Sequence, residues 1–63
     1  MNREQILLAL DQGETVRHEN FPKAWSIKKE GLNYKWSTGH IIEIELFWKN
    51  RLTDVYDKDW SII

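Results

Sequence analysis

The chain opens with a pattern of apolar residues that is typical of a short amphipathic helix. The apolar residues of one helical face are Ile6, Leu7 and Leu10, with Leu8 beside them. Asn2 is a good N-cap, and Gln5 stands three residues later, as in a capping box. Gly13 supplies the stop because glycine tolerates the left-handed conformation that follows a last helical turn. The pattern predicts a helix from Asn2 to Leu10, which is too short to be stable unless it docks on a sheet.

The rest of the chain alternates apolar and polar residues in short runs, which is typical of strands with one buried face. The predicted strands cover residues 15–18, 24–29, 34–37, 41–47 and 59–63. Turns are expected at residues 30–33 and at Thr38-Gly39. The sequence therefore predicts a single α+β domain over residues 1–63, with one N-terminal helix packed on a small, mostly antiparallel sheet of about four to five strands.

The run from Ile41 to Phe47 admits two interpretations. Its apolar residues Ile42, Ile44 and Leu46 alternate with Glu43 and Glu45. The alternation favours a strand, although the same residues could also form a helix. On a strand, the adjacent Phe47 and Trp48 would point to opposite faces, so that one of them would be exposed or at an interface. Residues 49–58 are polar and predict a loop with at most one helical turn.

The small size of the chain limits how much core it can form. A domain of 63 residues buries only about 60% of the surface that its unfolded chain exposes. There is no cysteine, so neither a disulfide nor a cysteine-bound metal can reinforce it. Dense aromatic packing, self-association or a bound ligand are the remaining sources of stability. We therefore expect a homo-oligomer.

The charge balance bears on partners and location. Charged residues make up 30% of the chain, and the formal net charge is −1. Binding to the phosphate backbone of DNA or RNA requires an excess of Lys and Arg over Asp and Glu, which this chain lacks. We therefore expect no binding to polymeric nucleic acid. No apolar stretch is long enough for a membrane span, and the N-terminus lacks a signal-peptide pattern. We expect a cytoplasmic protein without a membrane partner.

Residues that could carry catalysis are sparse. His18 and His40 lie far apart and have no accompanying cysteine, which is not a metal-site spacing. Asp54, Asp57 and Asp59 crowd one loop but lack the glycine and glutamate of an EF-hand, which favours a solvated turn. There is no nucleophile motif and no glycine-rich phosphate loop. We expect a protein that is not an enzyme and has no metal or cofactor.

The aromatic residues are numerous for so short a chain. They are Phe21, Trp25, Tyr34, Trp36, Phe47, Trp48, Tyr56 and Trp60. We expect that a small core cannot bury all of them. Exposed aromatics near Arg or Lys suit stacking on a nucleotide base or packing on a protein partner. Alternatively, these aromatic residues cover the core at the interface of a homodimer.

Both ends of the chain resemble one family. The opening residues 6–18 followed by Phe21, and the ending with Phe47-Trp48, Thr53-Asp54-Val55 and residues 59–63, are similar to short phage proteins of the Thoeris anti-defence 2 family. The resemblance covers roughly half the chain. In the middle, residues 21–24 stand where the family has a glycine-rich stretch. The resemblance implies a homo-oligomeric sponge that holds a small signalling nucleotide of bacterial immunity without cleaving it.

The resemblance also implies positions for the site. Phe21 and Trp48 match the family's two aromatic positions, and Thr53 and Asp54 match its polar pair. In the favoured interpretation Arg17 and His18 contact phosphate. Phe21 or Trp48 stacks on the base, and Thr53 and Asp54 bind the base or ribose. The alternatives are an inhibitor that binds a bacterial defence or host protein through exposed aromatics, and a structural domain without a ligand. For a phage protein, the expected location is the host cytoplasm.

Overall fold

The computed structural model describes residues Met1–Ile63 and has the predicted α+β architecture. Its helices are α1 (Arg3–Asp11), α2 (Ile44–Lys49) and a 3-10 helix (Asp54–Asp57). Its strands are β1 (Val16–His18), β2 (Ile27–Glu30), β3 (Asn33–Trp36), β4 (Ile41–Glu43) and β5 (Trp60–Ile62). The five strands form one sheet in the order β4-β3-β2-β1-β5, and every neighbouring pair is antiparallel.

The start and the end of α1 follow from the residues that flank it. The Asn2 side chain accepts a hydrogen bond from the backbone N–H of Gln5, and the Gln5 side chain accepts one from the backbone N–H of Asn2. This capping box satisfies backbone donors that would otherwise lack partners. After the helix, Gly13 adopts a φ of 85°. The predicted cap and stop are both confirmed.

The last strand joins the two ends of the chain. β5 pairs with β1 through Val16–Ile62, Arg17–Ser61 and His18–Trp60. The N-terminal ammonium of Met1 also donates to the carbonyl of Trp60 at 2.9 Å. The first residue of the sequence is thus bonded to the last strand of the sheet.

The predicted strand over residues 41–47 is wrong in its second half. β4 ends at Glu43, which pairs with Asn33, the first residue of β3. Beyond that pair the partner strand has ended, so residue 44 onward has no ladder to join. The chain instead forms α2, which turns Phe47 into the core, while Trp48 is half-buried beside it. The two adjacent rings contact each other at 5.0 Å and do not point to opposite faces.

The predicted strand over residues 24–29 begins late. Ala24 has a φ of 69°, which is outside the extended region, and the Trp25 N–H donates to the Pro22 carbonyl in a turn. Regular pairing with β3 starts only at Ile27, opposite Trp36. The turn shortens β2 and leaves Trp25 at the end of the sheet.

The core mixes aromatic and aliphatic side chains and lies between one face of the sheet and the helices. Its buried apolar residues are Ile6, Ala9, Leu10, Val16, Phe21, Ile27, Tyr34, Phe47 and Trp60. Trp36, Trp48 and Tyr56 are partly buried against them. The core therefore takes up most of the aromatic residues, more than the sequence led us to expect. None of the three helices has the length and apolar character needed to cross a membrane.

Replacing Trp60 with alanine is expected to destabilise the domain severely. Its side chain is 2% exposed, contacts the rings of His18, Phe21 and Trp48, and donates its indole N–H to the Tyr56 carbonyl. Loss of a buried tryptophan costs about 3–5 kcal/mol, which is comparable to the whole stability of a small domain. Urea unfolding measures the change. Leu52→Ala, at a position 71% exposed, is the control. An unchanged midpoint for Trp60→Ala would contradict this packing.

Candidate functional site

The sheet has one face covered by the helices and one face that no element covers. Residues opposite each other in an antiparallel pair share a face, and successive residues alternate. Val16, Ile27 and Tyr34 are buried on the covered face. The residues next to these along each strand point to the opposite face, which we call the uncovered face. They include Arg17, Lys28 and Lys35.

Arg17 lies on the uncovered face, as the alternation in β1 predicts. It follows buried Val16 and stands opposite Ser61 of β5. Its guanidinium is partly exposed and makes one long hydrogen bond, of 3.4 Å, to the Trp25 carbonyl. Glu19 and Asp59 lie nearby without forming an ion pair with it. Most of the hydrogen-bonding capacity of this side chain is free.

His18 is buried on the covered face, with both ring nitrogens engaged. Its Nε2 lies 2.9 Å from the Val55 carbonyl and 2.8 Å from the Lys58 carbonyl, so this nitrogen is the donor. Its Nδ1 accepts from the backbone N–H of Asn20 at 2.9 Å. The side chain is 1% exposed. Both ring nitrogens of His18 are therefore occupied, and neither can bind a phosphate. The ring instead connects the 55–58 segment to β1.

Phe21 is also part of the core. It contacts the rings of Trp36, Phe47 and Trp60 in edge-on geometry, at 4.9, 6.4 and 5.5 Å. Edge-to-face contacts of this kind add to the stabilisation that burial gives. A ring held on three sides inside the core has no free face on which a base could stack.

Trp48 projects from α2 and is half-buried. Its indole N–H donates to the Tyr34 hydroxyl at 2.9 Å, and the Arg3 guanidinium lies 5.5 Å from its ring. Burial raises the pKa of the Tyr34 hydroxyl, and the hydrogen bond from Trp48 opposes that rise. Trp48 thus has partners within the fold on its polar edge and on its ring.

Thr53 and Asp54 are exposed at the start of the 3-10 helix. Arg3 holds the segment around them. Its guanidinium donates to the carbonyls of Arg51, Thr53 and Tyr56 and forms an ion pair of 3.1 Å with Asp57. The side chains of Thr53 and Asp54 are left facing solvent. Arg3 contacts both Thr53 and Trp48, whereas Arg17 lies across the sheet from them, so the six predicted site residues do not meet in one pocket.

Arg51 is a structural residue that the sequence pattern did not single out. Its guanidinium lies 4.1 Å from the Phe47 ring and within 6 Å of Trp36 and Tyr56. One terminal nitrogen donates to the Phe47 carbonyl at 3.1 Å, while Nε is buried without a partner. Arg51 therefore covers the aromatic core where α2 meets the following loop.

A shallow depression of about 400 Å³ lies on the uncovered face. Its polar lining includes Thr15, Ser26, Lys28, Lys35, Ser37 and Thr38, with Glu30 as its acidic member. None of these residues belongs to a motif that the sequence singles out. The alternation of buried and exposed residues that orients Arg17 outward also orients Lys28 of β2 and Lys35 of β3 outward. This alternation is the sequence signal for the two lysines.

No three His, Asp or Glu side chains come together in a way that could hold a metal ion. No protein-family model matches the chain, and neither a curated protein nor a solved structure matches it.

Replacing His18 with phenylalanine is expected to destabilise the fold. The substitution keeps a buried ring but leaves the Val55 and Lys58 carbonyls and the Asn20 N–H without their partner. A buried polar group left unsatisfied costs about 1–3 kcal/mol. Urea denaturation of His18→Phe against His40→Phe, at an exposed histidine, measures this loss. Equal stability of the two variants would show that the His18 hydrogen bonds do not support the fold.

Proposed function

We propose that this protein sequesters a small phosphate-bearing signalling nucleotide without cleaving it, and that it does so on the uncovered face of its sheet. The observation that carries the proposal is that Arg17, Lys28 and Lys35 lie on that face, the two lysines in a depression lined by hydroxyl side chains and Arg17 in a separate one that Glu19 and Asp59 also line. Cationic side chains and hydroxyls are the groups that bind phosphate oxygens in proteins. The covered face offers no comparable set.

Arg17 is the central contact in this proposal. A guanidinium presents a planar fork of donors that fits phosphate oxygens in a bidentate manner. Arg17 contributes little to the fold, because its one hydrogen bond is long and its side chain lies outside the core. Its donors are therefore available to a ligand.

The other predicted site residues are not part of this proposed site. His18 and Phe21 are buried in the core, and Trp48 is bonded to Tyr34. Thr53 and Asp54 are exposed but lie in the loop that Arg3 holds. We assign the first three to stability and assign no ligand contact to the last two.

The biological setting of the proposal comes from the resemblance. It supports a phage counter-defence role in the cytoplasm of the host cell, in which the protein lowers the concentration of an immune signal. Self-association fits this role, because many large apolar side chains remain exposed, among them Leu8, Leu32 and Leu52. Burying them between copies would supply stability that one short chain lacks.

Inhibition of a bacterial protein is the second candidate function. The aromatics expected to anchor such a partner are mostly in the core, and Trp25, 37% exposed, is the most accessible of them. A protein partner would therefore contact mainly the exposed aliphatic residues. Native mass spectrometry of protein recovered from cells with an active nucleotide-signalling defence distinguishes the two functions. A retained small molecule on an oligomer supports sequestration, and a retained protein without a nucleotide supports inhibition.

Replacing Arg17 with lysine is expected to weaken nucleotide binding while leaving stability unchanged. Lysine keeps the charge but loses the bidentate geometry. Exposed substitutions usually change stability by less than about 0.5 kcal/mol, so the melting temperature should move by little. Calorimetry against a panel of nucleotides compares Arg17→Lys with the wild type. Equal affinity for a nucleotide that the wild type binds would remove Arg17 from the site. Failure of the wild type to bind any nucleotide would refute sequestration.

A further inference from the structure

Two lysines face each other directly on the uncovered face. Lys28 of β2 and Lys35 of β3 are register partners in the antiparallel hairpin. The Cβ atoms of such a pair are about 4.5–5.5 Å apart, and like charges placed this way destabilise a sheet. The fold therefore retains a repulsive pair on a face where no packing requirement explains it.

Neither lysine of this pair is well neutralised within the protein. Lys28 forms no ion pair, and Lys35 lies 4.0 Å from a carboxylate oxygen of Glu30 with both side chains largely exposed. An exposed pair at that distance contributes little. Lys29, which follows Lys28 and lies on the covered face opposite Tyr34, does have a close counterion. Its ammonium donates to Asp11 at 2.8 Å, and this hydrogen bond raises the pKa of Lys29. The chain thus supplies Lys29 with a close counterion, whereas Lys35 has only the more distant Glu30 and Lys28 has no carboxylate within ion-pair distance.

Hydroxyl groups surround the lysine pair. Lys28 and Lys35 line the depression of about 400 Å³ together with Thr15, Ser26, Ser37 and Thr38. The Ser37 hydroxyl accepts from the backbone N–H of Ser26 at 3.1 Å, so its own proton remains available to a ligand. The depression therefore combines two ammonium groups and several hydroxyls with one carboxylate, that of Glu30, which is exposed and lies beside Lys35.

We propose that the Lys28–Lys35 pair binds a terminal phosphate, and that the ligand is a nucleotide carrying a phosphomonoester and not only phosphodiesters. This inference rests on the proposed function and specifies its ligand. A phosphomonoester carries a charge of about −1.5 to −2 at pH 7, so one such group neutralises two ammonium ions. A phosphodiester carries a single charge and would leave one lysine uncompensated.

Arg17 lies within reach of the same ligand. It is on β1, beside β2, and about two residues along the strand direction from Lys28. Diagonal neighbours of this kind are about 7–8 Å apart at the backbone. A nucleotide whose terminal phosphate lies between the lysines can therefore extend toward the Arg17 guanidinium. Arg17 binds the part of the nucleotide beyond the terminal phosphate. The lysine pair selects a ligand whose terminal phosphate is doubly charged.

The test compares two probes that share a base and a sugar, AMP and 3′,5′-cyclic AMP, by calorimetry. Wild-type protein is expected to bind AMP about tenfold or more tightly than cyclic AMP, which is the size of effect that a hydrogen bond to a charged group produces. Lys28→Gln should abolish this preference by weakening AMP binding alone. Its melting temperature should equal or exceed that of the wild type, because the substitution removes a repulsion. Lys58→Gln, at an exposed lysine outside the depression, should behave as the wild type.

Two results would overturn the inference in distinguishable ways. Equal binding of AMP and cyclic AMP, with both weakened by Arg17→Lys and neither by Lys28→Gln, would refute the lysine-pair site while nucleotide sequestration stands. Absence of AMP binding at millimolar concentration would also refute the lysine-pair site. Sequestration itself fails only if no other nucleotide of the calorimetry panel binds the wild type either.

Discussion

The insertion of Trp60 into the aromatic core is the interaction on which the rest of the structure depends. The ring lies 4.8 Å from His18 and 5.5 Å from Phe21, and its indole N–H donates to the Tyr56 carbonyl. These contacts connect β5, β1 and the segment that follows α2. The backbone of Trp60 also binds the N-terminus, so one residue near the end of the chain ties both ends of the sequence to the sheet.

This packing divides the protein into two faces with different chemistry. The covered face takes up nearly all the aromatic rings and His18, and both ring nitrogens of His18 are bonded within the fold. The uncovered face keeps Lys28 and Lys35 exposed and Arg17 partly exposed, with Lys28 and Lys35 repelling each other across a hairpin. A chain of marginal size can retain such a repulsive pair because its stability comes from the other face. The division explains why residues that look functional in sequence, such as Phe21, are structural in the fold.

Features set by neighbouring residues were predictable from the sequence. The capping box of Asn2 and Gln5 and the outward orientation of Arg17 depend on local patterns, and both are confirmed. The end of β4 was not predictable in this way. The alternation in residues 41–47 fits a strand, but Glu43 is the last residue with a partner because β3 begins at Asn33. That limit comes from the hairpin register, which lies outside the segment itself.

The candidate site was harder to predict for a similar reason. His18 looked like a phosphate contact because it follows Arg17, yet its environment is created by the carbonyls of Val55 and Lys58, about forty residues away. Lys28 and Lys35 were overlooked because neither belongs to a motif, and only the pairing of β2 with β3 makes them a site. Local sequence identifies side-chain orientation on a strand, but it does not show which outward residues become neighbours.

The central claim is that the uncovered face binds a phosphate-bearing ligand while the aromatic face only stabilises the fold. A nuclear magnetic resonance titration of isotopically labelled protein with AMP tests it most directly, because side-chain signals report on each face separately. The account predicts shifts of the Arg17 guanidinium and the Lys28 and Lys35 side-chain signals, with the indole N–H signals of Trp48 and Trp60 unchanged. Shifts confined to Trp48, Thr53 and Asp54, with Arg17 unaffected, would contradict it.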